Sequence, residues 1–351
     1  MDDEVQEQPQ GHFVPKLVVF EEEALTFPLG QKLRETFAGM RVPQRILGRG
    51  ERLPLERGLA EPEKYRRAKR TLVVSVRRTL DFQTCRPSAH YQLPLATSCP
   101  GTCSYCYLMT TLGKRPFIKV YVNIDEILDR ARQYIERRLP DETVFEGAAT
   151  SDPVPVERYT GSLTRAIEFF ANRRDARFRF VTKFADVSPF LDAQHGGRTQ
   201  VRFSVNAENI ARRYEAGVPP VAARIAAAGE VARKGFPVGF MIAPVIVGTG
   251  WMDSYEELFA ALGRAAREEP GLRPATLEFV THRYTARARS RIREVFPECA
   301  PPMDDQERKF KFGQFGYGKY VYPPGTMDEI RRFLEAMVAS YLPEARWLYL
   351  V

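Results

Sequence analysis

The sequence predicts an α/β protein: a partial (β/α)6 TIM-like barrel with an N-terminal extension and a C-terminal β-hairpin plus helix. Three observations carry this. From about residue 90, short β-branched or aromatic runs alternate with amphipathic helical stretches, the pattern of βαβ units on a parallel sheet. Six such runs can be read, at 93–98, 143–148, 178–183, 200–205, 237–244 and 276–282. Their C-terminal ends carry reactive side chains, as the mouth of a barrel should. The predicted division is a disordered tail at 1–12, an extension packed on the barrel at 13–86, the barrel at 87–300, and a hairpin and helix at 301–351.

Taken in order, the tail is acidic and polar, and 13–86 mixes the apolar run Leu17, Val18, Val19 and Phe20 with a helix over 29–37 and a Pro- and Arg-rich link. Asn123 with Glu126 reads as a capping box, after which Ile124, Ile127, Leu128, Ala131 and Ile135 keep helical spacing. Asp253 with Glu256 starts a further helix, and Gly235 ends the Ala-rich helix that begins near Pro219 and Pro220. After the sixth run, Lys309, Lys311 and Lys319 interleave with Phe310, Phe312, Phe315, Tyr317 and Tyr320, broken by Gly313, Gly316 and Gly318, which reads as a glycine-kinked hairpin. A helix from Thr326 to about Leu342 follows.

Bulk properties narrow the class. With 44% hydrophobic and 27% charged residues the chain is an ordinary globular one. No apolar run approaches the roughly 20 residues that span a bilayer, and the N-terminus is unlike a secretory leader, so a cytoplasmic protein without membrane association is expected. The net charge of +8 favours a polyanionic partner, although dispersed basic residues also keep proteins soluble. Of five cysteines, three lie within eight positions, which favours a metal or cofactor role over disulfides.

Those three, Cys99, Cys103 and Cys106, form C-x3-C-x2-C on a loop between a strand and a helix. Three thiolates on one loop suit three irons of a [4Fe–4S] cubane and leave the fourth open to S-adenosylmethionine. Zinc would need a fourth ligand. His90 lies nine residues upstream, and Cys85 and Cys299 are isolated, so no second pair completes that set.

These blocks resemble the spore photoproduct lyases, a family within the radical S-adenosylmethionine enzymes. The resemblance rests on RTLVVSVRRTLDF, on PSAHYQLPLATSCPGTCSYCYLMTTLGKRPFIKVYVNIDEI, and on FEGAATSD, RFVTKF, VRFSVN, APV, HRYT and FGYGKYVY, in the family's order from about Val14 to the C-terminal helix. It implies an enzyme that reverts 5-thyminyl-5,6-dihydrothymine in ultraviolet-damaged duplex DNA to two thymines, with an electron donor such as flavodoxin or ferredoxin. A 5′-deoxyadenosyl radical would take a hydrogen from the lesion, the linking C–C bond would break, and the thyminyl radical would then need a hydrogen atom. In the family a cysteine of the FEAACTSD block supplies it, and two loop tyrosines, here Tyr105 and Tyr107, pass the radical back.

Two departures stand out. Ala149 occupies the donor cysteine's position, and a methyl group is no hydrogen-atom donor. The hairpin reads Gly313-Gln314-Phe315-Gly316 where GRYG is expected. By the same resemblance Tyr107, Ser151, Asp152, Lys183, Ser204, Asn206 and Ala243 bind the cofactor, while the residue chemistry of an aromatic, glycine-rich hairpin beside basic groups points Arg283, Lys311, Gln314, Phe315, Tyr317 and Lys319 at DNA. Arg66, Arg67, Lys69 and Arg70 are weaker DNA candidates. The rivals are a radical enzyme with another nucleic-acid substrate, motivated by Gln314 and Phe315, and a lesion-binding protein that no longer turns over, motivated by Ala149.

Overall fold

A computed structural model describes residues 12–54, 58–312 and 318–351. The expected tail lies outside them except for His12, and so do Gln314, Phe315 and Tyr317.

The extension is a β/α layer with its own core. Strand β1 (Leu17–Glu21), helix α1 (Pro28–Gly39), β2 (Gln44–Leu47), helix α2 (Glu61–Ala68) and β3 (Thr71–Ser75) follow one another, with β2 and β3 both parallel to β1. Val18, Phe20, Leu33, Phe37, Leu72 and Val74 fill the space between sheet and helix.

The chain then builds the larger sheet and returns once to the first. An edge pair, β4 (Thr84–Cys85) antiparallel to β5 (Ala89–Gln92), opens the barrel. Short β6 (Ala96–Thr97), then β7 (Thr102–Cys103) in the cysteine loop, helix α3 (Met109–Leu112) and β8 (Ile118–Tyr121) follow, and β6 and β8 join the N-terminal sheet. The predicted run at 93–98 is therefore corrected. Pro94 has no N–H for a ladder, so the barrel strand ends at Gln92 and Ala96–Thr97 pair with β8 instead. The extension also takes β8 from the segment assigned to the barrel.

From α4 (Ile124–Glu136) onward the alternation holds: β9 (Thr143–Glu146), α5 (Val154–Thr160), α6 (Ser162–Ala171), β10 (Ala176–Thr182), β11 (Thr199–Val205), α7 (Glu208–Tyr214), β12 (Glu215–Ala216), α8 (Val221–Arg233), β13 (Val238–Val245), α9 (Trp251–Glu268) and β14 (Thr276–Thr281). Asn123 precedes α4 but makes no cap. Its amide exchanges hydrogen bonds with the Arg77 backbone and donates to Glu126 (2.7 Å), tying the helix start to the end of β3. Helix α9 begins at Trp251, two residues before the expected Asp253, behind Gly250 at φ +68°. Helix α8 ends ahead of Gly235 (φ +83°), as its glycine predicts.

The C-terminal part supplies α10 (Ala286–Val295), the antiparallel hairpin β15 (Lys309–Phe312) and β16 (Gly318–Val321), α11 (Pro324–Tyr341), and an unexpected strand, β17 (Arg346–Leu350). The large sheet runs β17-β14-β13-β11-β10-β9-β5-β4, a curled half-barrel of eight strands, parallel throughout except for β4. The partial barrel is as predicted, with β17 as an added parallel strand. Phe145, Phe178, Phe203, Phe240 and Phe279 lie buried between sheet and helices. Among the described residues no helix is long and apolar enough to cross a membrane.

Candidate active site at the half-barrel mouth

The cysteine loop is held at the mouth from two sides. Ser98 N–H donates to Thr150 O (2.8 Å) and Ser98 bridges Ser151, which fixes the loop start against the end of β9. β7 pairs with β12, setting Glu215 opposite Cys103. Lys69, a weak DNA candidate in the sequence, is instead buried, and its ammonium donates to Ser98 Oγ (3.1 Å) and Cys99 O (2.8 Å). Gly101 is forced by space: a Cβ there would lie 2.8 Å from Val218 Cγ1, 3.6 Å from Cys99 Sγ and 4.0 Å from Cys103 Sγ. The Cys99 and Cys103 thiols thus both lie close beside Gly101. Among the described residues no three Cys, His, Asp or Glu side chains are arranged around one ion position. A cubane does not ask for that, because each of its irons takes one thiolate. Burial pushes Cys99 up to about 11 and Cys103 up to about 12, which favours the protonated thiols near neutral pH.

Beside the loop lies a group that the sequence reading missed. Glu215 is fully buried and accepts from Lys183 Nζ (2.9 Å), Arg224 (2.5 Å) and the Tyr105 hydroxyl. Burial alone would raise its carboxyl, but the Lys183 and Arg224 charges outweigh that and bring it to about 2. Glu215 thus gathers two cations, Lys183 and Arg224, beside the loop. Tyr107 is exposed, and its hydroxyl donates to Ala149 O.

The remaining predicted residues divide. The Ser151 hydroxyl is buried without a hydrogen-bond partner among the described residues. Ser204 and Ala243 sit at the same rim on parallel β11 and β13. Asp152 is already engaged: it accepts from Val154 N (3.2 Å), Thr182 Oγ1 (2.9 Å) and Lys183 N (2.8 Å), with burial pushing it up to about 6. Asn206 likewise donates to Pro244 O (2.9 Å) and accepts from Tyr255 (2.8 Å) and Ala207 N (3.0 Å). These two tie strand ends together.

Below the mouth, inward-facing charges from four strands meet. Arg202 on β11 pairs with Glu146 on β9 and with Glu278 on β14 (2.6 Å), and Arg179 on β10 pairs with Glu278. Ser88 donates to Glu146 (2.7 Å), and Glu146 also accepts from Ala148 N (3.2 Å), which fixes the backbone leading to Ala149. Only period-2 placement of charges inside otherwise apolar strands signalled this network.

The hairpin is anchored to the barrel rim. Tyr320 and Tyr284 exchange backbone hydrogen bonds (2.8 and 3.2 Å) with their rings stacked, and Arg308 lies 3.6 Å over the Tyr322 ring. Lys311 stands directly opposite Lys319, and Arg283 adds a third charge that, with burial, lowers the Lys319 ammonium. None of the three has a carboxylate partner among the described residues. Like charges placed opposite one another are unfavourable unless an anion lies between them. Phe312 is 73% exposed next to them. Of the arginines that follow, Arg289 pairs with Asp305 and Arg291 with Glu61 and Glu294, so they brace α10 instead of forming a free basic face.

A family model described as spore photoproduct lyase matches residues 13–351. The spore photoproduct lyase of Clostridium acetobutylicum is 45% identical over 95% of this chain and 98% of its own, and that of Bacillus subtilis 41% identical over 97% and 99%. A solved spore photoproduct lyase complexed with dinucleoside spore photoproduct superposes with a TM-score of 0.94 at 42% identity, covering 97% of this chain and all of that one. A solved double mutant superposes with a TM-score of 0.93 at 43% identity and the same coverage. It has one cysteine changed to alanine and a serine 64 positions earlier changed to cysteine, with AdoMet and dinucleoside spore photoproduct bound.

Proposed function

This chain belongs to the spore photoproduct lyase family, and from that membership we propose that it reverts spore photoproduct in ultraviolet-damaged DNA to two thymines by radical chemistry. The observation that supports the chemistry is the Cys99–Cys106 loop at the half-barrel mouth, where the Cys99 and Cys103 thiols both lie beside Gly101. Cys99, Cys103 and Cys106 would hold a [4Fe–4S] cluster. Ser151, Lys183, Ser204, Ala243 and Tyr107 are assigned to S-adenosylmethionine, with Asp152 and Asn206 holding the strand ends that present them. When bound, this pair of cofactors supplies a carbon-centred radical that withdraws one hydrogen atom from the lesion at the start and releases one at the end.

The chain's own residues bind, orient and relay. Lys183 is assigned to the cofactor's carboxylate, and Glu215 orients Tyr105 by accepting a hydrogen bond from its hydroxyl. Arg283, Lys311 and Lys319 contact phosphate, while Gln314, Phe315 and Tyr317 are assigned to the extruded lesion. The 64-position spacing of the double mutant is also the spacing from Cys85 to Ala149 in this chain.

Anaerobic reconstitution tests the reading. The protein should take up about four irons and four sulfides and cleave S-adenosylmethionine on reduction, and Cys99→Ala should lose both properties. Stable zinc binding with no iron uptake would overturn the radical mechanism.

A further inference from the structure

We propose that Lys69 is the counter-ion of the cluster held by Cys99, Cys103 and Cys106, a buried cation that favours the cluster's reduced and more negative form. The inference rests on the radical-chemistry reading above. In the sequence Lys69 belongs to the basic run of Arg66, Arg67, Lys69 and Arg70, and it looks like one more phosphate contact. In the fold it is 2% exposed at the end of α2, which removes it from any nucleic-acid backbone.

Its lack of an opposite charge sets it apart. The buried lysines and arginines among the described residues are Lys69, Arg179, Arg202, Arg224 and Arg291. Arg179 and Arg202 pair with Glu278, Arg224 with Glu215, and Arg291 with Glu61. Lys69 makes no ion pair among the described residues. Its ammonium donates to Ser98 Oγ (3.1 Å) and Cys99 O (2.8 Å) and lies 5.5 Å from the centre of the Tyr65 ring. All three are neutral groups, which offer dipoles and a ring face only. A cation taken out of water in this way is strongly unfavourable unless a full negative charge answers it.

The cysteine loop is where that charge would arrive. Lys69 lies within electrostatic reach of the Cys99 thiol, and Tyr65, whose ring it faces, lies within reach of all three thiols. Three thiolates outweigh the positive charge of an oxidised cubane core, so the bound cluster is an anion, and reduction adds one more negative charge. A fixed cation beside it stabilises both forms, and the reduced form more, because the Coulomb energy grows with the charge. Local charge and hydrogen bonds near the sulfurs are two of the means by which a protein sets a cluster's potential. Lys69 supplies the first directly and, through the Cys99 carbonyl, steadies the loop that supplies the thiols. It thereby eases the one-electron reduction on which cleavage of S-adenosylmethionine depends.

The test uses the full chain, both metal-free and reconstituted. Lys69→Met removes the charge and keeps the stem, whereas Lys69→Gln also keeps an N–H donor for Cys99 O. Redox titration without S-adenosylmethionine, followed by electron paramagnetic resonance of the reduced cluster, should give both variants a lower midpoint potential. The reduction equilibrium should fall at least about tenfold, which is about 59 mV for one electron. Urea unfolding of metal-free protein gives a second readout that needs no cluster. Because the ammonium has no counter-charge until the cluster arrives, metal-free Lys69→Met should unfold at a urea concentration no lower than the unmodified metal-free protein. An unchanged potential in Lys69→Gln would show that the charge does not act on the cluster. A lower urea midpoint for metal-free Lys69→Met would make Lys69 a strut of the fold. Either result overturns the proposal and leaves the lyase reading standing. If the unmodified protein takes up no iron–sulfur cluster, the radical-chemistry reading falls and the proposal with it.

Discussion

His282 closes β14 with its ring buried, and burial followed by the Arg308 charge depresses its basicity to about 3. An imidazole that protonates only in the unfolded chain loses stability for the fold as pH falls below its ordinary value near 6.5. The unfolded state binds the extra proton between about 6.5 and 3, so the loss accumulates on the order of 1 kcal/mol per pH unit across that window. Denaturant midpoints at pH 7 and pH 4 should therefore separate widely for this protein and much less for His282→Leu. Equal pH dependence in the two would contradict the buried, neutral ring. Gly101 is the second residue with a sharp consequence. Because a methyl group there would collide with Val218 and crowd two thiols, Gly101→Ala should lower the iron bound per chain on reconstitution while leaving far-ultraviolet circular dichroism unchanged. Full iron loading would show that the loop relaxes freely. At this scale the cysteines were legible because their spacing is local. Glu215 and Lys69 were not, since each gains meaning only from partners far along the chain.

The hairpin is the element whose form sequence and structure describe most alike, as interleaved lysines and aromatics became two paired strands with Lys311 facing Lys319. Lys311→Ala with Lys319→Ala should weaken binding to damaged and undamaged duplex together and flatten the slope of log affinity against log salt by about two. A slope that stays unchanged would move the phosphate contact elsewhere. Gly318 leaves room for the Phe310 ring, which a Cβ there would meet at 1.9 Å and have to displace. Alternation of apolar runs located five of the six predicted barrel strands, because their side chains face one helix layer. It misplaced the first, where Pro94 divides an apolar run between two sheets. It also missed β17, a short strand after the last predicted helix.

Across the whole molecule, the half-barrel is closed from within by the Arg202, Arg179, Glu146 and Glu278 network, which joins β9, β10, β11 and β14. Removing one member of a buried charge set strands the others, at a cost of about 3–5 kcal/mol. Arg202→Met should lower the urea midpoint accordingly, whereas a shift near zero would mean that water relieves the stranded carboxylates. The same network holds the backbone that leads to Ala149, so fold stability and the geometry of the reaction space rest on shared residues. Chromatography of dinucleoside spore photoproduct incubated with reconstituted enzyme, S-adenosylmethionine and a reductant tests the central claim most directly. The account predicts that the lesion disappears and that unlinked thymines appear in its place, dependent on Cys99, Cys103 and Cys106. Lesion recovered intact from enzyme that carries a reduced cluster and cleaves S-adenosylmethionine would contradict it.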